Sequence, residues 1–548
     1  MTKPVTYKRT MAETDPLTET SSKSKVFRTQ QAGMAALFVT VATLLSTILG
    51  LIRGKVIAHY FGAGLETDFY NYGFTIPDSL QNILIMGVTS SSFIPIFAEY
   101  VANYSKEEAN RLASTFLNMT LIAFAVICLL VGIFMPQITD VWLAHDIPPE
   151  HKTAIVDITR LFLLAQIAFA ISKIFSGILQ THKHFTAYAL ALLVYNPAII
   201  FGIILFHKEH GIYSAAYGAV AGACLVMLVN VMDLKGTDYR YQFSFDYRSP
   251  GIKNIYVLAI PNFLNMALLQ IVFIAYSKIS IDLEPGSYSA FRYALDFENF
   301  PVNIFGISFV TAIFPFLAEN VSKKNYANFN YNIQNSIRQI LYLTLPAGAG
   351  MAILSKEIIG LILGGGRFGA REIETTSSIL FFYALIVPLE SLWYLFARAF
   401  YAMKDTWRPF YYRLAGTVVN LTISYILAYR IGPSAFSIGL LIAFLIQIAL
   451  FTIGLKRRVS EFDLKHAVTI SIKLIGCTIG MIILVMAGNF YLEQSAWMVH
   501  YSERMRYLLR TLIGIGIGGI SYIGLTIIFK CADFSVLSRV LERIIKKK

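Results

Sequence analysis

An all-α polytopic membrane protein is the fold class that three observations predict. Hydrophobic residues make up 56% of the 548-residue chain and charged residues only 14%. The mean hydropathy of +0.59 lies far above that of a soluble domain. Apolar windows long enough to span a bilayer, about 20 residues each, recur from about residue 33 to about residue 530 with no gap the size of a soluble domain.

Residues 1–30 are polar and rich in Ser, Thr and Lys, without the apolar core and small-residue cleavage site of a signal peptide. They are expected to form a disordered cytoplasmic tail. The apolar windows then predict about 14 spans, at roughly 33–59, 68–100, 111–138, 154–181, 185–207, 211–233, 253–281, 287–319, 333–364, 373–402, 409–430, 433–455, 466–489 and 507–530. Six basic residues precede the first span, and Lys and Arg recur in alternate loops up to the terminal IIKKK. The bias is roughly 27 against roughly 7 and puts both termini in the cytoplasm. A net charge of +13 carried by short loops and tails fits a membrane surface and excludes a nucleic-acid-binding domain.

FIPIFAEYV at 93–101 returns as IFPFLAENV at 313–321, and YNPAIIFGIILF at 195–206 is echoed by VNLTISYILAY at 419–429. Parallel repeats of this kind predict two six-helix lobes facing a central cavity, at 31–235 and 250–456. Two further spans at 465–530 and a basic tail at 531–548 follow. Duplicated architecture favours a transporter over an enzyme.

Ionisable groups inside spans cost at least ~2.5–3.5 kcal/mol and normally face a wet cavity or a partner. They concentrate in spans 1, 2, 7 and 8. Asn71, Asp78, Gln81 and Asn82 share a helical stripe beside Pro77, and Arg292, Asp296, Asn299 and Asn303 share another that Pro301 interrupts. Arg292 and Asp296 are spaced to pair. Asp68 reads either as a cavity group or as a cap for its own helix, and Arg53 as a cavity group or a snorkelling one. Asp157 and Arg160 are spaced to neutralise each other, and Asn196 and Asn420 to bond neighbouring helices. Lys173 and Lys278 are two further intramembrane cations. GLILGGGRFGA at 360–370 lacks the ending and preceding strand of a phosphate loop, so it reads as an external loop or gate. The four cysteines form no metal or disulfide pattern. No ATP-binding motif is present, so active transport would draw on the membrane potential or a Na⁺ or H⁺ gradient, with no cofactor or metal expected. Arginines beside carboxylates suit an anionic, phosphate-bearing substrate.

The stretch from Leu49 to Tyr100, LGLIRGKVIAHYFGAGLETDFYNYGFTIPDSLQNILIMGVTSSSFIPIFAEY, resembles the N-terminal signature of the MurJ/MviN family of lipid II flippases, in the MOP exporter superfamily. AFRYA (290–294), GRFGA (366–370) and ARAFYAMKDTWRP (397–409) extend the resemblance. It implies a 14-helix, two-lobed flippase that moves the lipid-linked peptidoglycan precursor between leaflets by alternating access. By the resemblance Arg53 and Asp68 match family functional positions, and with the polar stripes they make Arg53, Asp68, Asp78, Gln81, Arg292, Asp296 and Asn299 the candidate substrate-binding residues. Glu298 and Asp78 are the carboxylates that ion coupling would use, and Pro77 and Pro301 the helix bends. Ser46-Thr47, Asp78, Gln81 and Leu295-Asp296 depart from the family pattern, and three family arginines are absent from their usual places. The implied partners are a lipid-linked anionic saccharide, membrane lipids and proteins of cell-wall synthesis, with the chain itself a monomer. Flipping of another polyprenyl-pyrophosphate oligosaccharide, ion-coupled export of a small molecule, and a non-transporting scaffold are the competing functions.

Overall fold

The computed structural model describes residues 21–142, 148–459 and 462–531, with side chains from residue 38 onward. Residues 1–20 and 532–548, which hold most of the two expected tails, lie outside the described residues. The expected disorder does not extend to residue 30, because the first helix, α1, runs Ser21–Phe61.

Helices α2 (Leu65–Leu80), α3 (Ile94–Asn103), α4 (Lys106–Trp142), α5 (Pro149–Thr181), α6 (Phe185–His210) and α7 (Tyr213–Leu234) pack with α1 into one bundle. A second bundle holds α8 (Pro250–Ile281), α9 (Ser287–Pro301), α10 (Ser308–Ser322), α11 (Tyr326–Ile353), α12 (Ser355–Ile362), α13 (Ala370–Ala402), α14 (Trp407–Ile431) and α15 (Ser434–Arg458). The last two helices, α16 (Lys465–Gln494) and α17 (Glu503–Ile528), pack together against α11 and α12. Thirteen helical stretches among the described residues are long and apolar enough to cross a membrane, and α11 with α12 makes the fourteenth. Large apolar side chains on the outward faces, such as Ile122, Val126, Leu129 and Ile133 of α4, are exposed as lipid-facing residues should be.

Inside the bundles small residues let helices approach. A Cβ on Gly218 of α7 would stand 2.7 Å from the Ile199 Cα of α6, so this crossing requires glycine. Asn196 donates to the Ser46 carbonyl at 3.1 Å, and Asn420 accepts from Tyr276 at 2.7 Å. Both asparagines bond helices together, as the sequence suggested.

Three spans are interrupted rather than single regular helices, two of them at the expected prolines. The ninth is not continuous over 333–364. It starts at Tyr326 and bends by 73° at Leu354. Lys356 and Glu357 follow the bend, and Glu357 lies 3.9 Å from Arg510 of α17. Turning the helix keeps these charges at an edge instead of carrying them through the bilayer. The second span breaks into α2, π-helical turns at Gln81–Met86 and Thr89–Phe93, and α3. The eighth breaks in the same way, with a π-helical turn at Val302–Ile307 between α9 and α10. The turns that begin at residues 81 and 302 are 221 positions apart, nearly the spacing of the sequence repeat. Pro77 stands in the last turn of α2, and Pro301 ends α9. A missing backbone N–H at each place loosens the ladder where the wider turn begins.

Candidate functional site

The α1–α2 turn meets the second bundle at one end of the molecule, the hairpin end. Gly286, with φ +90°, caps α9 without a side chain, which leaves the first amides of that helix in need of acceptors. Asp68 of α2 supplies them. Its Oδ2 accepts from the Gly286 amide at 2.7 Å, and its Oδ1 accepts from the Ser289 amide at 2.8 Å and the Ser289 hydroxyl at 2.6 Å. A carboxylate at a helix N-terminus is also favoured by the helix dipole. The cap on Asp68's own helix is Gly64, so the reading of Asp68 as a cap for α2 is corrected. It caps a helix of the other bundle, and it does not line the cavity described below.

Further bonds close this end. Asn71 donates to Ser289 at 3.1 Å, Thr75 meets the Tyr288 hydroxyl at 3.0 Å, and Tyr293 donates to the Gly62 carbonyl at 3.2 Å. The Gly-rich loop docks on α1. Lys55 donates to the carbonyls of Leu363 and Gly364 at 2.9 and 2.5 Å, and the Arg367 amide donates to the His59 carbonyl at 3.0 Å. The loop is therefore part of a clasp.

At the opposite end Asn262 of α8 donates to the Gly87 carbonyl at 2.9 Å, and Thr120 of α4 meets the Tyr256 hydroxyl at 3.0 Å. The connection after α7 lies against α4 through Ser114–Tyr239 and Thr115–Ser244, with ion pairs Lys106–Asp238 at 3.1 Å and Arg111–Asp246 at 3.3 Å. Lys106 holds the exposed Asp238 carboxyl below its usual range through hydrogen bond and charge. Both ends thus carry contacts between the bundles.

Between them lies a cavity of about 60 Å³. Arg53 reaches it from α1, Asn71 from α2, Tyr195 from α6, and Arg292, Tyr293 and Asp296 from α9. The Arg53 guanidinium is buried, with its Nε left without a partner, so it does not snorkel. Arg292 lies over the rings of Phe74 and Phe273, 5.9 and 5.6 Å from their centroids. Among the described residues neither arginine has a carboxylate within 4.0 Å, so the expected Arg292–Asp296 ion pair is not formed. Asp296 faces both guanidinium groups across the cavity. Asn71 and Arg292 occupy corresponding places, 221 residues apart, on the two broken spans. Two unpaired forks converging on a polar cavity are what an anion with several oxygens would satisfy.

The other sequence candidates lie elsewhere in this closed state. Asp78 accepts from Asn82 at 3.0 Å, Gln81 is buried with both side-chain polar atoms unpartnered, and Asn299 bonds the Leu295 carbonyl of its own helix. None of the three lines the cavity. From Gln81 onward π-helical turns reset the phase, so the single stripe does not continue regularly beyond it. Glu298 points into the second bundle, within hydrogen-bonding reach of Glu390, which accepts from Tyr394 at 3.3 Å. Asp157 and Arg160 do neutralise each other, at 3.8 Å. Lys278 is exposed near the end of α8. Sequence reasoning missed the three tyrosines Tyr70, Tyr195 and Tyr293. Their only signal is position, since Tyr195 adjoins Asn196 and Tyr293 adjoins Arg292.

The family described as "Lipid II flippase MurJ" matches residues 57–509. The chain belongs to the MurJ family. A relative from Borreliella burgdorferi described as "Probable lipid II flippase MurJ" is 26% identical over 514 residues, covering 93% of this chain and 98% of its own. A Thermotoga maritima relative with the same description is 27% identical and covers 82% and 90%. Among solved structures, one described as "Lipid II flippase MurJ, inward closed conformation" matches with a TM-score of 0.75 at 24% identity, over 90% of this chain and 98% of that one. An inward-facing multidrug resistance MATE transporter of the MOP superfamily matches with a TM-score of 0.66 at 15% identity, over 78% and 98%. These structures share the fold of this MurJ-family chain, an all-α polytopic membrane protein.

Proposed function

We propose that this protein translocates lipid II, the lipid-linked peptidoglycan precursor, from the inner to the outer leaflet of the bacterial cytoplasmic membrane by alternating access. The observation that carries the reading is the convergence of Arg53 and Arg292, one from each bundle, on one cavity where Asp296 faces both and pairs with neither within 4.0 Å. A pyrophosphate held between them would be gripped by both halves of the protein. Family membership supports the substrate.

A cavity of about 60 Å³ admits one or two waters and no sugar, whereas ligand pockets usually measure about 300–1,000 Å³. The closed state must therefore open to load. In the orientation favoured by the distribution of Lys and Arg, both termini are cytoplasmic and the hairpin end faces outward. The Asp68 clasp is then the outer gate, and the Gly87–Asn262 contact belongs to the inner one. Breaking the inner contacts exposes the arginines to the headgroup while the polyprenyl tail stays in lipid. Breaking the clasp releases it outward.

Moving an anion outward is downhill in an inside-negative potential, by about 2.3 kcal/mol per charge per 100 mV. The potential is thus a sufficient source of drive, with no cofactor and no metal. The chain acts as a monomer in this reading, beside the synthetic proteins that make and consume its substrate. The test is complementation of a flippase-depleted strain, with lipid II detected in each leaflet. Wild type restores growth and outer-leaflet lipid II, and Arg53→Ala or Arg292→Ala does not. Full growth with both arginines removed would favour a scaffold.

A further inference from the structure

A second cavity, of about 190 Å³, lies within the first bundle between α1, α5, α6 and α7. Ser46, Ser172, Lys173, Ser176 and Asn230 give it polar walls. Lys173 stands eight residues, about 12 Å, before the end of α5 at Thr181, inside the span. Among the described residues its ammonium has no carboxylate within ion-pair distance and no hydrogen-bond acceptor. Asn230 is fully buried. Its amide donates to the Ser172 hydroxyl at 2.6 Å, and its Oδ1 has no partner. An unpaired cation beside an unmet acceptor in the bilayer interior is costly unless a ligand visits.

The cavity adjoins the central one. Tyr195 lines both. Ser46 and Arg53 are seven residues apart on α1, which puts them on one face of the helix about 10 Å apart along its axis. Lys173 therefore lies beneath the arginines, on the side away from the hairpin end.

We propose that this cavity is a loading site for the phosphate of the lipid-linked substrate, where Lys173 takes the negative charge before Arg53 and Arg292 do. The inference rests on the flippase reading and its orientation. Lysine suits a waiting position, because its ammonium binds phosphate as a point charge with rotatable donors, without the fixed bidentate grip of arginine. The Asn230 oxygen offers an acceptor to a hydroxyl of the headgroup. The phosphate of an ordinary anionic phospholipid has the same chemistry, so the experiment separates the two.

Binding of lipid II and of inorganic pyrophosphate is measured on the full chain in nanodiscs of phosphatidylcholine, and again with phosphatidylglycerol added. Lys173→Gln should weaken lipid II binding about tenfold in phosphatidylcholine, equivalent to ~1.4 kcal/mol. Lys173→Arg should restore most of it. In flipping assays the loss should appear in KM, with kcat at saturating lipid II changed by less than about twofold. Removing an unpaired, half-buried charge inside the span should leave Tm equal or higher, which confirms that the glutamine variant folds. Equal lipid II affinity of wild type and Lys173→Gln overturns the proposal. So does a Lys173 effect seen only as competition by phosphatidylglycerol, which makes the occupant an ordinary phospholipid. If wild type binds pyrophosphate through Lys173 but not lipid II, the substrate reading fails and the anion site stands.

Discussion

Asp68 gives both carboxylate oxygens to the start of a helix 218 residues further along the chain. Replacing it with Ala leaves the Gly286 and Ser289 amides without acceptors, a loss of about 1–3 kcal/mol. The expected outcome is a rise of roughly tenfold in the population open at the hairpin end. Spin labels at Leu65 and Glu374, both exposed, would report it as a longer distance. Gly286→Ala should act in the same direction, because its Cβ would fall 2.0 Å from the Ala63 carbonyl oxygen at a φ of +90°. The two changes should be less than additive, since they break one contact. An unchanged distance in both variants would remove Asp68 from the gate. Legibility differs residue by residue here. Asp68 stood out in the sequence as a charge near a membrane span, but its partners did not. Nothing local to residues 61–80 shows that α9 begins with a glycine and lacks a cap of its own. Arg53 and Arg292 were legible because an intramembrane guanidinium is rare and expensive.

At the scale of elements, the spans were readable because an apolar window is a local property. The bend at Leu354 and the π-helical turns were not, because they depend on where neighbouring helices leave room for irregular backbone. The effect on the site is specific: past Gln81 a regular 100° step no longer places side chains, whereas Asp78 and Asn299 precede the π-helical turns and miss the closed cavity because they lie about 10 Å further along their helices than Asn71 and Arg292. If the broken second span is a hinge, Pro77→Ala restores a backbone donor and stiffens it. We expect a higher Tm and flipping slowed at least severalfold in proteoliposomes; normal turnover in a stabilised variant would show that the break does not move. The Tyr276–Asn420 bond tests the packing of the second bundle separately. Tyr276→Phe leaves the buried Asn420 oxygen with Ser424 as its remaining donor and should cost about 0.5–1.5 kcal/mol, read as a lower Tm with little change in the affinity for lipid II.

For the whole molecule, two bundles touch at both ends around a nearly filled centre, so transport requires that one set of end contacts break while the other holds. The internal repeat predicts facing halves, and the matching breaks at 81 and 302 interrupt one span in each bundle. Charge then couples the cycle to the membrane. Outward flipping should accelerate with an inside-negative potential, by at most about 50-fold per net charge at 100 mV, where the drive is about 2.3 kcal/mol. Valinomycin-set potassium gradients measure this, and a rate indifferent to potential would require another source of drive. The most direct test of the central claim, that one arginine from each half holds the pyrophosphate, is lipid II flipping by purified Arg53→Ala, Arg292→Ala and double variants in proteoliposomes. The account predicts that each single change lowers the rate about 10- to 100-fold at unchanged Tm, and that the double variant is little worse than the slower single one. Flipping at the wild-type rate by the double variant would contradict it.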